Sequence, residues 1–99
     1  MTPAPISDQH LTAALSALPA WRRDGDSIAR TYQLPSFADA LAFMQDCAPE
    51  IERLAHHPEW TNVYDKVIVR LSTHDAGNRI TTRDLELAKI MDWVAQRFA

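Results

Sequence analysis

The alternation of periodicities along this chain predicts an α+β fold, an antiparallel sheet with its helices on one face. Three observations lead there. Apolar residues recur at helical spacing in three stretches, one near the start, one in the middle and one at the end. Between these lie stretches in which apolar and polar residues alternate, the period of a strand with one buried face. Asp24-Gly25-Asp26 is a hairpin-turn signal, which makes the strands on its two sides antiparallel neighbours.

Taken in order, residues 1–6 with their two prolines read as a loose tail. Ser7 or Asp8 can cap a first helix, in which Leu11, Leu15 and Leu18 share a face, and Pro19 ends it. Trp21 opens the first strand. Past the turn, Ile28, Tyr32 and Leu34 point one way and Ala29, Thr31 and Gln33 the other, with Arg30 breaking the apolar face. Ser36, with Asp39 three residues on, reads as a capping box with Asp in place of Glu. Phe37, Leu41, Met44 and Ala48 then form a helical stripe, with Ala40 and Phe43 beside it. Pro49 removes a hydrogen bond and crowds the preceding turn, so the helix either kinks there or restarts and runs through Leu54. Pro58 disfavours helix at His57, which leaves His56 and His57 where helix gives way to extended chain. Between Val63 and Ser72, Val63, Val67, Val69 and Leu71 share one parity, interrupted by Asp65. Asp75 to Asn78 is a loop. Thr81 and Asp84 make a further capping box, and Leu87, Ile90, Met91, Val94 and Phe98 mark the buried face of the last helix.

Length and composition bound the possibilities. The 99 residues make one domain, long enough to bury about two-thirds of the unfolded chain's surface. A net charge of -3 argues against nucleic acid as a partner, since phosphate binding needs clustered Lys and Arg and the longest basic cluster is Arg22-Arg23. Cys47 is the single cysteine, so there is no disulfide framework, which fits a reducing compartment. No apolar run approaches the ~18 residues of a membrane span, and the start lacks a basic, apolar leader. The expectation is a cytoplasmic protein with no membrane partner.

Chemistry concentrates in the histidines. Three of the four lie in His56-His57-Pro58-Glu59-Trp60 and Thr73-His74, and imidazole can give or take a proton near neutral pH. Zinc is one use of such a cluster, but adjacent side chains diverge and the HExxH spacing is absent. Nucleophilic catalysis is another, but Cys47 lies in an apolar helical pattern and there is no Gly-x-Ser-x-Gly elbow. General acid–base catalysis without a metal asks only that groups on two elements flank a small substrate, and a helix exit and a strand exit can supply them. The alternative is three surface or partly buried imidazoles with ordinary hydrogen bonds.

The set Glu52-x-x-x-His56-His57-Pro58-x-Trp60, Tyr64-x-x-Val67, Leu71-Ser72-Thr73-His74 and Thr81-x-x-Asp84-x-x-Leu87-Ala88 resembles the signature of the pterin-4a-carbinolamine dehydratases. Upstream, Trp21, Ile28, Phe37, Ala40 and Phe43-Met44 sit where that family places its core, so the resemblance runs from about Trp21 to Val94. It implies four antiparallel strands with three helices on one face, in the order α-β-β-α-β-β-α. It also implies dehydration of a 4a-hydroxytetrahydropterin to the quinonoid dihydropterin, with no metal and no organic cofactor. That carbinolamine is what pterin-dependent aromatic amino acid hydroxylases leave behind, which implies a functional link to such an enzyme.

By the same resemblance His56, His57 and His74 are the catalytic candidates. His56 and His74 would protonate the leaving hydroxyl, and His57 would bind the ring and act as base, with roles that can be exchanged among the three. Pro58, Trp60, Thr73 and Asp75 join them as candidate substrate contacts, Trp60 as a stacking wall or else as a partly buried strand residue. Glu52 and Asp84 are candidate supports, Glu52 four residues before His56 and Asp84 in the first turn of the last helix. The resemblance further implies a homodimer or homotetramer, and a rival role as a non-catalytic pterin-binding module or a dimerisation module for a transcription factor. The chain departs from the family's pattern in three places: Asn78-Arg79-Ile80 where Gly-Leu is common, Ala55 where a polar residue is common, and Pro49 within a helix.

Overall fold

A computed structural model describes residues 4–99. Ser7 accepts a hydrogen bond from the His10 amide and starts α1 (Asp8–Leu15). A bend at Ala17 and Leu18 then leads to β1 (Arg22–Asp24), and the turn at Gly25, with φ +63°, returns the chain in β2 (Ser27–Gln33). Ser36 caps α2 (Phe37–Leu54), accepting from the Asp39 amide at 3.1 Å. β3 (Glu59–Val63) and β4 (Lys66–Leu71) form a second hairpin. α3 (Thr82–Ala95) follows behind the Thr81–Asp84 capping box and closes on a 3₁₀ turn, Gln96–Phe98.

Among the described residues these elements form one four-stranded antiparallel sheet, in the order β1-β2-β4-β3, and three α-helices, an α+β fold in the expected order. Ile28, Tyr32, Val67, Val69 and Leu71 point from the sheet into the core and are buried. Thr31, Gln33, Lys66 and Ile68 point the other way and are exposed, so the helices cover a single face. The core joins aromatics and aliphatics: the Tyr32 ring lies tilted 4.6 Å from that of Phe43, which meets Phe98 edge-on at 6.3 Å. Arg30 breaks the apolar face because α3 supplies its counter-charge. One oxygen of Asp92 takes the Arg30 guanidinium at 2.6 Å, the Trp21 indole N–H at 2.9 Å and the Tyr32 hydroxyl.

Four local expectations are corrected. α2 buries Ala40, Phe43, Cys47 and Ile51, while Phe37 and Leu41 are exposed, so the stripe lies one step round the helix from the one read in the sequence. Of the two readings at Pro49 the restart is overturned: α2 runs through Pro49 as one helix, with the Gln45 carbonyl lacking that one donor. Val63 is exposed, because Tyr64 and Asp65 form the tight turn between β3 and β4 rather than the middle of one strand. Tyr64 takes φ +52° there, and the Asn62 side chain holds the turn by donating to the Tyr64 and Lys66 carbonyls. Of the tail, residues 1–3 lie outside the described residues, and Ile6 is tied down, its amide bonded to the Ile80 carbonyl at 2.9 Å.

Candidate active site

The end of α2 sets the first wall. The Ala55 amide bonds back to Glu52 and the His56 amide to Ile51, a Schellman turn in which Ala55 adopts φ 51°, ψ 39°. That left-handed residue, usually glycine, reverses the chain within one step. The two histidines after it diverge. His56 turns inward and is only 6% exposed, with Nε2 2.6 Å from Asp84 Oδ1. His57 stays in solvent, with Nε2 3.0 Å from Glu52 Oε1 on the last turn of the same helix.

The end of β4 sets the second. Past Leu71 the Thr73 amide donates to the Arg79 carbonyl at 2.8 Å and the Asn78 amide to the Thr73 carbonyl at 3.0 Å, pinching off the loop between them. Within that loop His74–Ala76 makes a single 3₁₀ turn, ended by Gly77 with φ +73°. His74 is exposed, its Nδ1 a long 3.4 Å from Asn78 Oδ1.

The first turn of α3 sits between these walls. Asp84 is fully buried, and its Oδ2 accepts from the Thr81 amide and from the Thr73 hydroxyl, each at 2.9 Å. Thr73 Oγ1 and Thr81 Oγ1 lie 2.6 Å apart. One carboxylate therefore joins the strand exit, the helix start and the buried imidazole.

The result is an open cleft of about 220 Å³ lined by Ala55, His56, His57, Ser72, Thr73, His74, Asp75 and Arg83. It brings the three expected histidines together with Thr73 and Asp75. It does not bring Trp60 or Pro58, which are not among the lining residues. Trp60 pairs with Val69 across the sheet and packs against the core from its partly buried place in β3. Glu52 and Asp84 stand behind His57 and His56 respectively, without lining the cleft.

Two lining residues, Ser72 and Arg83, were not singled out from the sequence. Arg83 had a signal: a cation in the first turn of a helix faces the positive end of its dipole, which costs stability unless the position serves another purpose. Arg83 also lines a second hollow of about 180 Å³, shared with Leu54, Ala55, His56 and Glu86. Among the described residues no three His, Cys, Asp or Glu side chains converge as metal ligands. Cys47 lies in the core, its thiol pushed up to about 12 first by burial and then by the charge of Asp46.

The arrangement can move protons to and from a small, flat, partly solvated molecule. Two exposed imidazoles, His57 and His74, and a third that is buried and backed by a carboxylate, His56, line the same cleft. Comparison with known proteins points the same way. A family model described as pterin 4 alpha carbinolamine dehydratase matches residues 4–94. A relative from Opitutus terrae that bears the same dehydratase name is 45% identical over 87 residues, 88% of this chain and 90% of its own. One from Afipia carboxidovorans is 47% identical over 95 residues, covering 94% of each chain. The crystal structure of a transcriptional coactivator/pterin dehydratase from Brucella melitensis superposes with a TM-score of 0.87 at 34% identity, over 92% of this chain and 98% of that one. The chain belongs to the pterin 4 alpha carbinolamine dehydratase family, a family of hydro-lyases.

Proposed function

We propose that this chain dehydrates a 4a-hydroxytetrahydropterin, tetrahydrobiopterin carbinolamine in the first instance, to the quinonoid dihydropterin and water. The observation that carries this reading is the convergence of His56, His57 and His74 on one cleft between the exits of α2 and β4. In the reaction the C4a hydroxyl takes a proton and leaves as water. The N5 lone pair forms the C4a=N5 double bond, and N5 then releases its own proton. One acid and one base suffice, each contributing about 10²–10⁴ in rate.

His74 and His56 are the acids for the hydroxyl and His57 the base and ring contact, with Glu52 fixing the His57 imidazole. Thr73 and Asp75 border the pterin, and Arg83, on the cleft wall, offers planar N–H donors to ring oxygen and nitrogen acceptors. The product serves recycling of the pterin used by an aromatic amino acid hydroxylase, and the protein works as a homodimer or homotetramer in the cytoplasm. Among the described residues no helix is long and apolar enough to cross a membrane.

The test follows carbinolamine loss by absorbance while a hydroxylase generates it, for wild type, His56→Ala and His74→Ala. The expected outcome is acceleration by wild type and a loss of about 10²-fold or more in each folded variant. A folded wild type that leaves the spontaneous rate unchanged sinks the proposal. The coactivator role belongs to the name of the Brucella protein. A binding role here would show as histidine variants that keep partner capture and oligomeric state while losing turnover.

A further inference from the structure

We infer that Thr73 is a positioning residue. Acting through Asp84, it holds His56 with its proton on Nε2, which leaves Nδ1 as the nitrogen that exchanges a proton in the cleft. This deepens the proposed dehydratase reading and rests on it for the catalytic part alone.

The buried network has a fixed supply of protons and lone pairs. The Thr81 backbone amide can only donate, and it donates to Asp84 Oδ2 at 2.9 Å. The Thr73 hydroxyl, also at 2.9 Å, spends its single proton on the same oxygen. The 2.6 Å contact between Thr73 and Thr81 must then use the proton of Thr81, whose oxygen in turn accepts from the Arg83 amide at 3.2 Å. Donation therefore runs one way, from Thr81 to Thr73 to Asp84, and backbone amides that cannot reverse set its direction.

Two donors at Oδ2 favour the carboxylate form of Asp84, and its Oδ1 then accepts from the atom facing it at 2.6 Å, His56 Nε2. With Asp84 in that form, the nitrogen carries the proton. Water cannot easily substitute for any partner here, since Thr73, Thr81 and Asp84 are at most 1% exposed. A hydroxyl spent in this way is not free for a ligand, so Thr73 serves the cleft with its position and its backbone while its side chain orients His56. The family resemblance had suggested substrate contact for Thr73; the geometry gives its hydroxyl a different task.

The test uses ¹⁵N-histidine-labelled full-length protein without ligand, followed from neutral to alkaline pH so that the neutral ring is observed. The expected spectrum shows His56 protonated at Nε2 and bare at Nδ1. In Thr73→Val a second population with the proton on Nδ1 appears, kcat falls about tenfold and KM stays within about twofold. Thr73→Ser restores both spectrum and kcat. Where Thr73→Val does not fold, Thr73→Cys, similar in shape and weaker as a donor, takes its place and is expected to show the same changes. A wild-type neutral ring protonated at Nδ1 overturns the inference, and so does a folded Thr73→Val with unaltered His56 signals and kcat. The spectra are independent of turnover, so a wild type without dehydratase activity would count against the proposed function and leave this result intact.

Discussion

At the scale of single residues the chain separates reactive from inert titratable groups by burial and partnership. Cys47, wholly buried and raised from 9.0 to about 12, should not react with a disulfide reagent at pH 8 in the native protein and should react at once in denaturant. Its effect on stability has a definite sign. Below pH 9 the thiol is neutral folded and unfolded; above it the unfolded thiol ionises first, so its contribution is lost as pH rises from 9 toward about 12. Denaturation of wild type against Cys47→Ala should show a wild-type advantage that shrinks across that range. The sequence exposed the histidines readily, because short motifs with two or three imidazoles are uncommon and their spacing survives folding. It concealed which carboxylate serves which ring. Glu52 was expected to orient an imidazole and holds His57, the nearer in space, because Ala55 turns the chain before His56.

At the scale of elements, strand parity and caps were legible and phase was not. α2 contains two overlapping apolar stripes, one through Phe37 and Leu41 and one through Ala40, Phe43, Cys47 and Ile51. Periodicity alone cannot choose between stripes a residue apart; the position of the sheet does. The Tyr64-Asp65 turn escaped because it carries neither Gly nor Asn-Gly, its geometry being held by Asn62 from outside the turn. The α2 terminus is an element built at a cost, since Ala55 occupies a left-handed conformation that disfavours any Cβ by about 1–2 kcal/mol. Ala55→Gly relieves that strain and loses part of the gain to unfolded-state entropy, so a net stabilisation of about 0.5–1 kcal/mol is expected in urea titration. The cleft then gains a more pliable wall, and in the dehydratase assay kcat should fall by severalfold even as stability rises. A loss of stability would mean that the Ala55 methyl makes packing that outweighs the backbone strain.

At the scale of the whole molecule, α3 carries two carboxylates with opposite duties. Asp84, in its first turn, stands behind the cleft and binds His56 and Thr73. Asp92, two turns on, faces the sheet and gathers Trp21, Arg30 and Tyr32 onto one oxygen. The second cluster locks the helical layer to β2 at the end of the sheet away from the histidines. Burial and the bond to Asp92 push the Tyr32 hydroxyl well above its ordinary value, so it remains a donor at any working pH. Removing Asp92 strands the Arg30 guanidinium, whose Nε already lacks a partner, together with a buried phenol and an indole N–H. With the Arg30–Asp92 pair about a quarter exposed, Asp92→Ala should cost about 2–3 kcal/mol in chemical denaturation, below the figure for a sealed ion pair. Because the cleft draws its groups from the other end of α3, the fraction that remains folded at low temperature should keep kcat within about twofold of wild type. Asp84→Ala should do the reverse in proportion: a comparable loss of stability accompanied by a fall in kcat of at least tenfold. Equal kinetic damage from both variants would show that the two ends of α3 are mechanically coupled, and that the sheet contacts at Asp92 help to hold the histidine cleft in shape.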